Sequence, residues 1–130
     1  MRNFITLLLA VIVVGCSSDS SSSKNTNIPQ SYVGNWTGNY TGDSDHGTFD
    51  IDVSSTGDVT GTTTSTVYSH TYTITGKVQS NGSIASTFGT ASSGGTFNGI
   101  LQTNSNASGT WTNNIPDPDI NGTWSGEKVN

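Results

Sequence analysis

Few side chains in this chain could do covalent or acid–base chemistry. Nucleophilic catalysis needs a nucleophile with a base beside it, and only His46 and His70 offer imidazoles. His46 lies in the acidic loop Asp43-Ser44-Asp45-His46-Gly47, His70 opens a strand, and both read as solvated residues. Asp50 and Asp52 are paired carboxylates, but strand alternation puts them on an outer face, away from any pocket. Zinc would need a cluster of Cys and His, which the sequence lacks. Calcium has one candidate. Asp117-Pro118-Asp119-Ile120-Asn121-Gly122 matches the first half of an EF-hand-type loop, with oxygens at alternate positions and a glycine for the turn. The second half departs from that pattern, because Lys128 stands where a bidentate Glu belongs and Glu127 comes one residue early. The same residues are ordinary turn chemistry. Two readings therefore stand side by side: a tight turn, and a calcium site on Asp117, Asp119 and Asn121 that Asp43 and Asp45 would complete if they share its rim. No other cofactor is expected, and the chain reads as non-catalytic.

The remaining chemical group is Cys16, the only cysteine. Arg2 precedes an apolar run from Ile5 to Val14, too short to span a bilayer, and Ser17-Ser18-Asp19-Ser20 follows it. Val13-Val14-Gly15-Cys16 resembles the lipobox of bacterial lipoproteins. The resemblance implies a signal peptide over 1–15, cleavage before Cys16, and acyl chains on that residue. Each buried CH₂ of such a chain contributes about 0.8 kcal/mol, so several chains anchor stably. Residues 16–30 are rich in Ser, Asn and Thr, a composition that cannot bury enough apolar surface to order itself, and they read as a disordered tether. Extended, Ser17 to Gln30 would reach at most about 50 Å. The Ser/Asp-rich start of this tether is similar to that of lipoproteins of the Bacteroidetes group. That similarity implies an outer-membrane location, facing the periplasm or the cell surface.

From Ser31 onward, Lys77 and Lys128 face eight acids, a balance of −6. This excludes nucleic acid and anionic lipid as partners of the folded part. About 100 residues make one domain with a modest core. Heavy use of Thr, Gly, Ser and Asn points to β structure with tight turns.

Period-two alternation runs almost throughout. Trp36, Gly38 and Tyr40 share one face; Phe49, Ile51 and Val53 share the next; Tyr72, Ile74, Gly76 and Val78 follow. Ser55-Thr56-Gly57-Asp58 and Gln79-Ser80-Asn81-Gly82 mark hairpin turns. Gly47-Thr48-Phe49, Thr71-Tyr72-Thr73-Ile74, Gly95-Thr96-Phe97 and Gly122-Thr123-Trp124 repeat as strand openings. Repeated hairpins with one apolar face must bury it together, and closure into a barrel does so while removing free edges. The expectation for 31–130 is a small eight-stranded antiparallel up-and-down barrel, with an open two-sheet sandwich as the runner-up. Glycines at 34, 38, 61, 76, 99, 109 and 126 fall on or near the faces that carry large rings, where they permit coiling and make room for a neighbour's ring. An eight-stranded barrel is either filled by its side chains or holds one small ligand, and the number of inward rings favours the filled form.

Gly34-Asn35-Trp36 resembles the Gly-x-Trp opening of calycins, the lipocalin and avidin superfamily, and the segments Thr48–Val53, Gly57–Thr62 and Tyr72–Lys77 are similar to the next avidin strands. Gly38 stands where avidins carry an asparagine, so the resemblance implies topology rather than biotin binding. Two function classes follow. The first is a lipid-anchored envelope protein whose barrel recognises a protein or glycan, or is structural; its contact loops would be 41–47, 66–70, 90–95 and 113–121, with Asp43, Asp45, Asp117 and Asp119 as leading residues. The second is a calycin-like carrier of a small apolar ligand, held by Trp36, Tyr72, Phe97, Trp111 and Trp124.

Overall fold

A computed structural model of the protein describes residues 27–89, 94–114 and 119–130. Eight strands form one closed barrel in chain order: β1 (Gly34–Gly42), β2 (Gly47–Val53), β3 (Asp58–Ser65), β4 (His70–Val78), β5 (Ser83–Phe88), β6 (Gly95–Leu101), β7 (Asn106–Asn113) and β8 (Ile120–Lys128). Every neighbouring pair is antiparallel, and β8 returns to β1 with Gly38 opposite Gly126. Alternation is cleanest in β2, where Phe49, Ile51 and Val53 are buried and Thr48, Asp50 and Asp52 are exposed. The outward acids bind a neighbour, since the Asn35 side-chain amide donates to Asp50 Oδ1 at 2.6 Å and to Asp52 Oδ1 at 3.2 Å.

The barrel has two unlike ends. At the base, three turns share one design. Gly57, Gly82 and Ser105 each close a four-residue turn by donating to the carbonyl of Ser54, Gln79 or Gln102. Each then offers its own carbonyl to the end of a later strand, to the amides of Val78, Leu101 and Lys128. All three closing residues have positive φ: +85° at Gly57, +87° at Gly82 and +70° at Ser105. Glycine adopts that region freely, whereas a side chain is strained there. Ser105→Gly is therefore expected to raise stability by about 1 kcal/mol, measured by urea unfolding; an unchanged midpoint would show that Ser105 carries no such strain.

The base is also stoppered. A short 3-10 turn, Gln30–Tyr32, crosses beneath the strands. Ile28 and Tyr32 are buried, and the Ile28 amide donates to Ser55 O at 2.9 Å. Tyr32 O accepts the Trp36 indole N–H at 3.0 Å, and Lys128 Nζ reaches the carbonyls of Gln30 and Ser31 at 3.3 Å. Residues 28–30, assigned to the tether by composition, thus pack against the barrel, because a single Ile among polar residues finds an apolar seat. A chain beginning at Ser31 is expected to unfold about 2 kcal/mol more easily than one beginning at Asn27, the loss of one buried Ile side chain. Residues 1–26, to which the sequence assigns the signal peptide and the rest of the tether up to Thr26, Cys16 included, lie outside the described residues, and Asn27 is exposed.

The interior is filled by rings that lie across paired glycines. The Gly99 and Gly109 pair sits beside Trp124 in one ladder row, Gly122 and Gly42 beside Trp111, and Gly38 and Gly126 beside Phe49. In each row a Cβ on either glycine would come within 2.7 Å of the ring. Phe97 stacks on Trp124 at 4.4 Å, and Phe49 meets both edge-on.

Candidate functional site

The other end is a rim of loops. The loops β1–β2 and β3–β4, and the strand ends that lead into β5–β6 and β7–β8, all gather there, opposite the stopper. Two of these loops are tied together by Asp45. Its carboxylate is buried, accepting the Ser65 hydroxyl at 2.6 Å and the Tyr40 hydroxyl at 3.2 Å. Ser65 Oγ in turn accepts the amide of Tyr68 at 2.9 Å, and the Thr66 amide donates to His46 O at 2.9 Å. The β3–β4 tip is thereby held in one shape, with Ser69 at a φ of +51°. On that tip Val67 is 48% exposed and Tyr68 is 54% exposed. Behind them the His70 ring meets Tyr72 edge-on at 4.6 Å, and Tyr72 meets Phe88 at 5.9 Å.

Inside the rim, Tyr40, Asp45, Thr63, Tyr72, Phe88, Phe97 and Trp111 surround a space of about 10 Å³. That is room for about one water molecule. Burial, and after it the negative charge of Asp45, push the Tyr40 phenol well above the ordinary tyrosine range. The folded state therefore holds this proton more tightly than the unfolded chain does. Its contribution to stability is whole below about pH 10 and is lost as pH rises toward the folded value. Alkaline unfolding curves are expected to fall by up to about 1.4 kcal/mol per pH unit in that window, and Tyr40→Phe should flatten the limb. An equally steep limb in the variant would assign it to other groups.

The residues singled out from the sequence scatter over the molecule. Trp36 lies at the base against Tyr32, Phe97 and Trp124 stack in the interior, and Trp111 donates its indole N–H to Thr41 O at 3.0 Å. All four are at most 3% exposed, while Tyr72 is half-buried at the rim. They line no common cavity large enough for an organic ligand. Of the acids, Asp43 and Asp119 are exposed, Asn121 is exposed at the start of β8, and Asp117 lies outside the described residues. The pairing of Gly42 with Gly122 puts Asp43, just past the end of β1, and Asn121, in β8, at one rim, but Asp45 turns inward to its two hydroxyl partners. Among the described residues, no three His, Cys, Asp or Glu side chains gather as ligands for an ion. His46 and His70 are both exposed on the rim.

Sequence reasoning named Asp45 but missed its partners Tyr40 and Ser65. The available signal was parity. Thr63 and Ser65 fall on the buried face of β3 with Val59, and a hydroxyl on a core face calls for a polar partner. A scan against protein-family models finds no match, and no curated protein matches the chain.

Proposed function

We propose that the chain is a non-catalytic, lipid-anchored protein of the bacterial outer membrane, with a barrel that recognises a protein or glycan through its loop rim. The observation that supports this reading most is the polarity of the barrel. The chain enters through the stopper at the base, so an anchor at Cys16 would leave the rim pointing away from the membrane. The outer walls carry mainly Thr, Ser and Asn, whereas the rim presents Val67 and Tyr68 on a tip braced by Asp45. An exposed, pre-organised aromatic is the usual anchor of a recognition surface. The filled interior speaks against carriage of a ligand, since such a ligand would have to displace packed rings.

The anchor is tested by labelling cells with an alkyne analogue of palmitate. Label is expected on the wild-type chain and none on Cys16→Ser; label retained in the variant would exclude this anchor. The rim is tested by placing a photo-crosslinking residue at Tyr68 or, at the base, at Thr56. Discrete adducts on intact cells are expected from Tyr68 alone. Equal adducts from both sites, or none from Tyr68, would rule out the rim as the contact surface.

A further inference from the structure

Asp45 presents an unusual charge balance. The residue is only 5% exposed. It takes one hydrogen bond on each oxygen, both from neutral hydroxyls. An ionised carboxylate accepts about four hydrogen bonds, so roughly half its capacity remains. No cation of the described chain meets it. Lys77 pairs with Asp58 and Lys128 with the stopper carbonyls, both toward the base. The rim histidines, His46 and His70, are exposed, and the titratable groups facing Asp45 are the phenols of Tyr40 and Tyr72. A buried charge is costly unless something compensates it.

The space beside this carboxylate has the size of a single water molecule, and Tyr40, Thr63, Tyr72, Phe88, Phe97 and Trp111 complete its wall. An anion would meet Asp45 and be repelled. A calcium ion carries two charges and is usually held by several carboxylates, whereas this wall offers one carboxylate and three hydroxyl-bearing side chains. A monovalent ion of about water's radius fits both volume and charge, and aromatic walls favour cations. We infer that the space beside Asp45 is a binding site for one small monovalent cation of the ammonium or potassium class. Occupancy neutralises the buried carboxylate and stiffens the two loops it joins, which is a role separate from recognition at the tip.

The test compares thermal unfolding of the full chain in chloride salts of ammonium, potassium, sodium and tetramethylammonium at one ionic strength. Ammonium or potassium is expected to raise the midpoint by about 5 °C on saturation relative to tetramethylammonium, which is too large to enter. The difference should vanish in Asp45→Asn. Should that variant fail to fold, Thr63→Val decides, because it keeps Asp45 and both its hydroxyl partners; its apparent affinity is expected to fall several-fold. Equal midpoints in all four salts would overturn the inference and assign the space to water. A response that persists unchanged in either variant would also overturn it.

Discussion

Gly109→Ala is expected to cost the barrel about 3 kcal/mol or more, a large part of the stability of a domain this size. A Cβ at this position would stand 2.6 Å from Trp124 Cε2 and 2.6 Å from the Gly99 Cα, and closer still to the Asn98 carbonyl. The last two are backbone, so no rotamer change relieves the clash. Trp124 cannot retreat either, because its indole N–H is held by Asn98 O at 3.0 Å and its ring lies on Phe97. Truncating the ring as well separates the two sources of strain. Trp124→Ala alone should cost about 3–5 kcal/mol through the cavity it leaves. If ring and methyl compete for one space, the double variant will be less destabilised than the sum of the singles by at least about 1 kcal/mol. Strict additivity in urea unfolding would show that the backbone contact alone forbids the methyl group.

Asp45→Ala carries the second large effect, expected at about 3 kcal/mol. The substitution leaves the hydroxyls of Tyr40 and Ser65 buried without their acceptor, and each such loss costs about 1–3 kcal/mol. Relief of the carboxylate's own burial offsets part of this. The consequence should be local as well as global. Amide exchange at Thr66 and Tyr68 is expected to accelerate far more than at Ile51 or Ile74, because Ser65 fixes that tip only while Asp45 fixes Ser65. Uniform acceleration at all four amides would mean that Asp45 supports the whole barrel rather than the rim.

The strands were legible because their inner and outer residues differ sharply. Phe49-Asp50-Ile51-Asp52-Val53 admits only one face toward a core, and the same parity placed Asp50 and Asp52 outside. Closure was legible from the repeated hairpins. Of the glycines expected near rings, 38, 99, 109 and 126 do lie against Phe49 or Trp124; Gly61 and Gly76 instead meet Ile51 and Ser86. Gly42 and Gly122, which Trp111 crosses, were not anticipated, since pairing β8 with β1 joins residues some eighty positions apart and alternation within one strand says nothing about register between strands. The rim tie was hidden for the same reason. Asp45 sits in a loop where an acid is ordinarily solvated, and only the tertiary arrangement brings Ser65 beneath it. The stopper escaped notice because one isoleucine in a polar stretch has no period to read.

The seam between β8 and β1 has a consequence in time. A chain synthesised from its N-terminus offers β1 first and receives β1's second partner last, after all the other hairpins have formed. Until then any partial sheet would keep two bare edges and leave its rings half covered. The carbonyl of Ser105 also waits for Lys128, as Gly57 waits for Val78 and Gly82 for Leu101. Folding should therefore be slow and all-or-none, with high contact order, and a nascent chain should remain threadable until β8 has emerged.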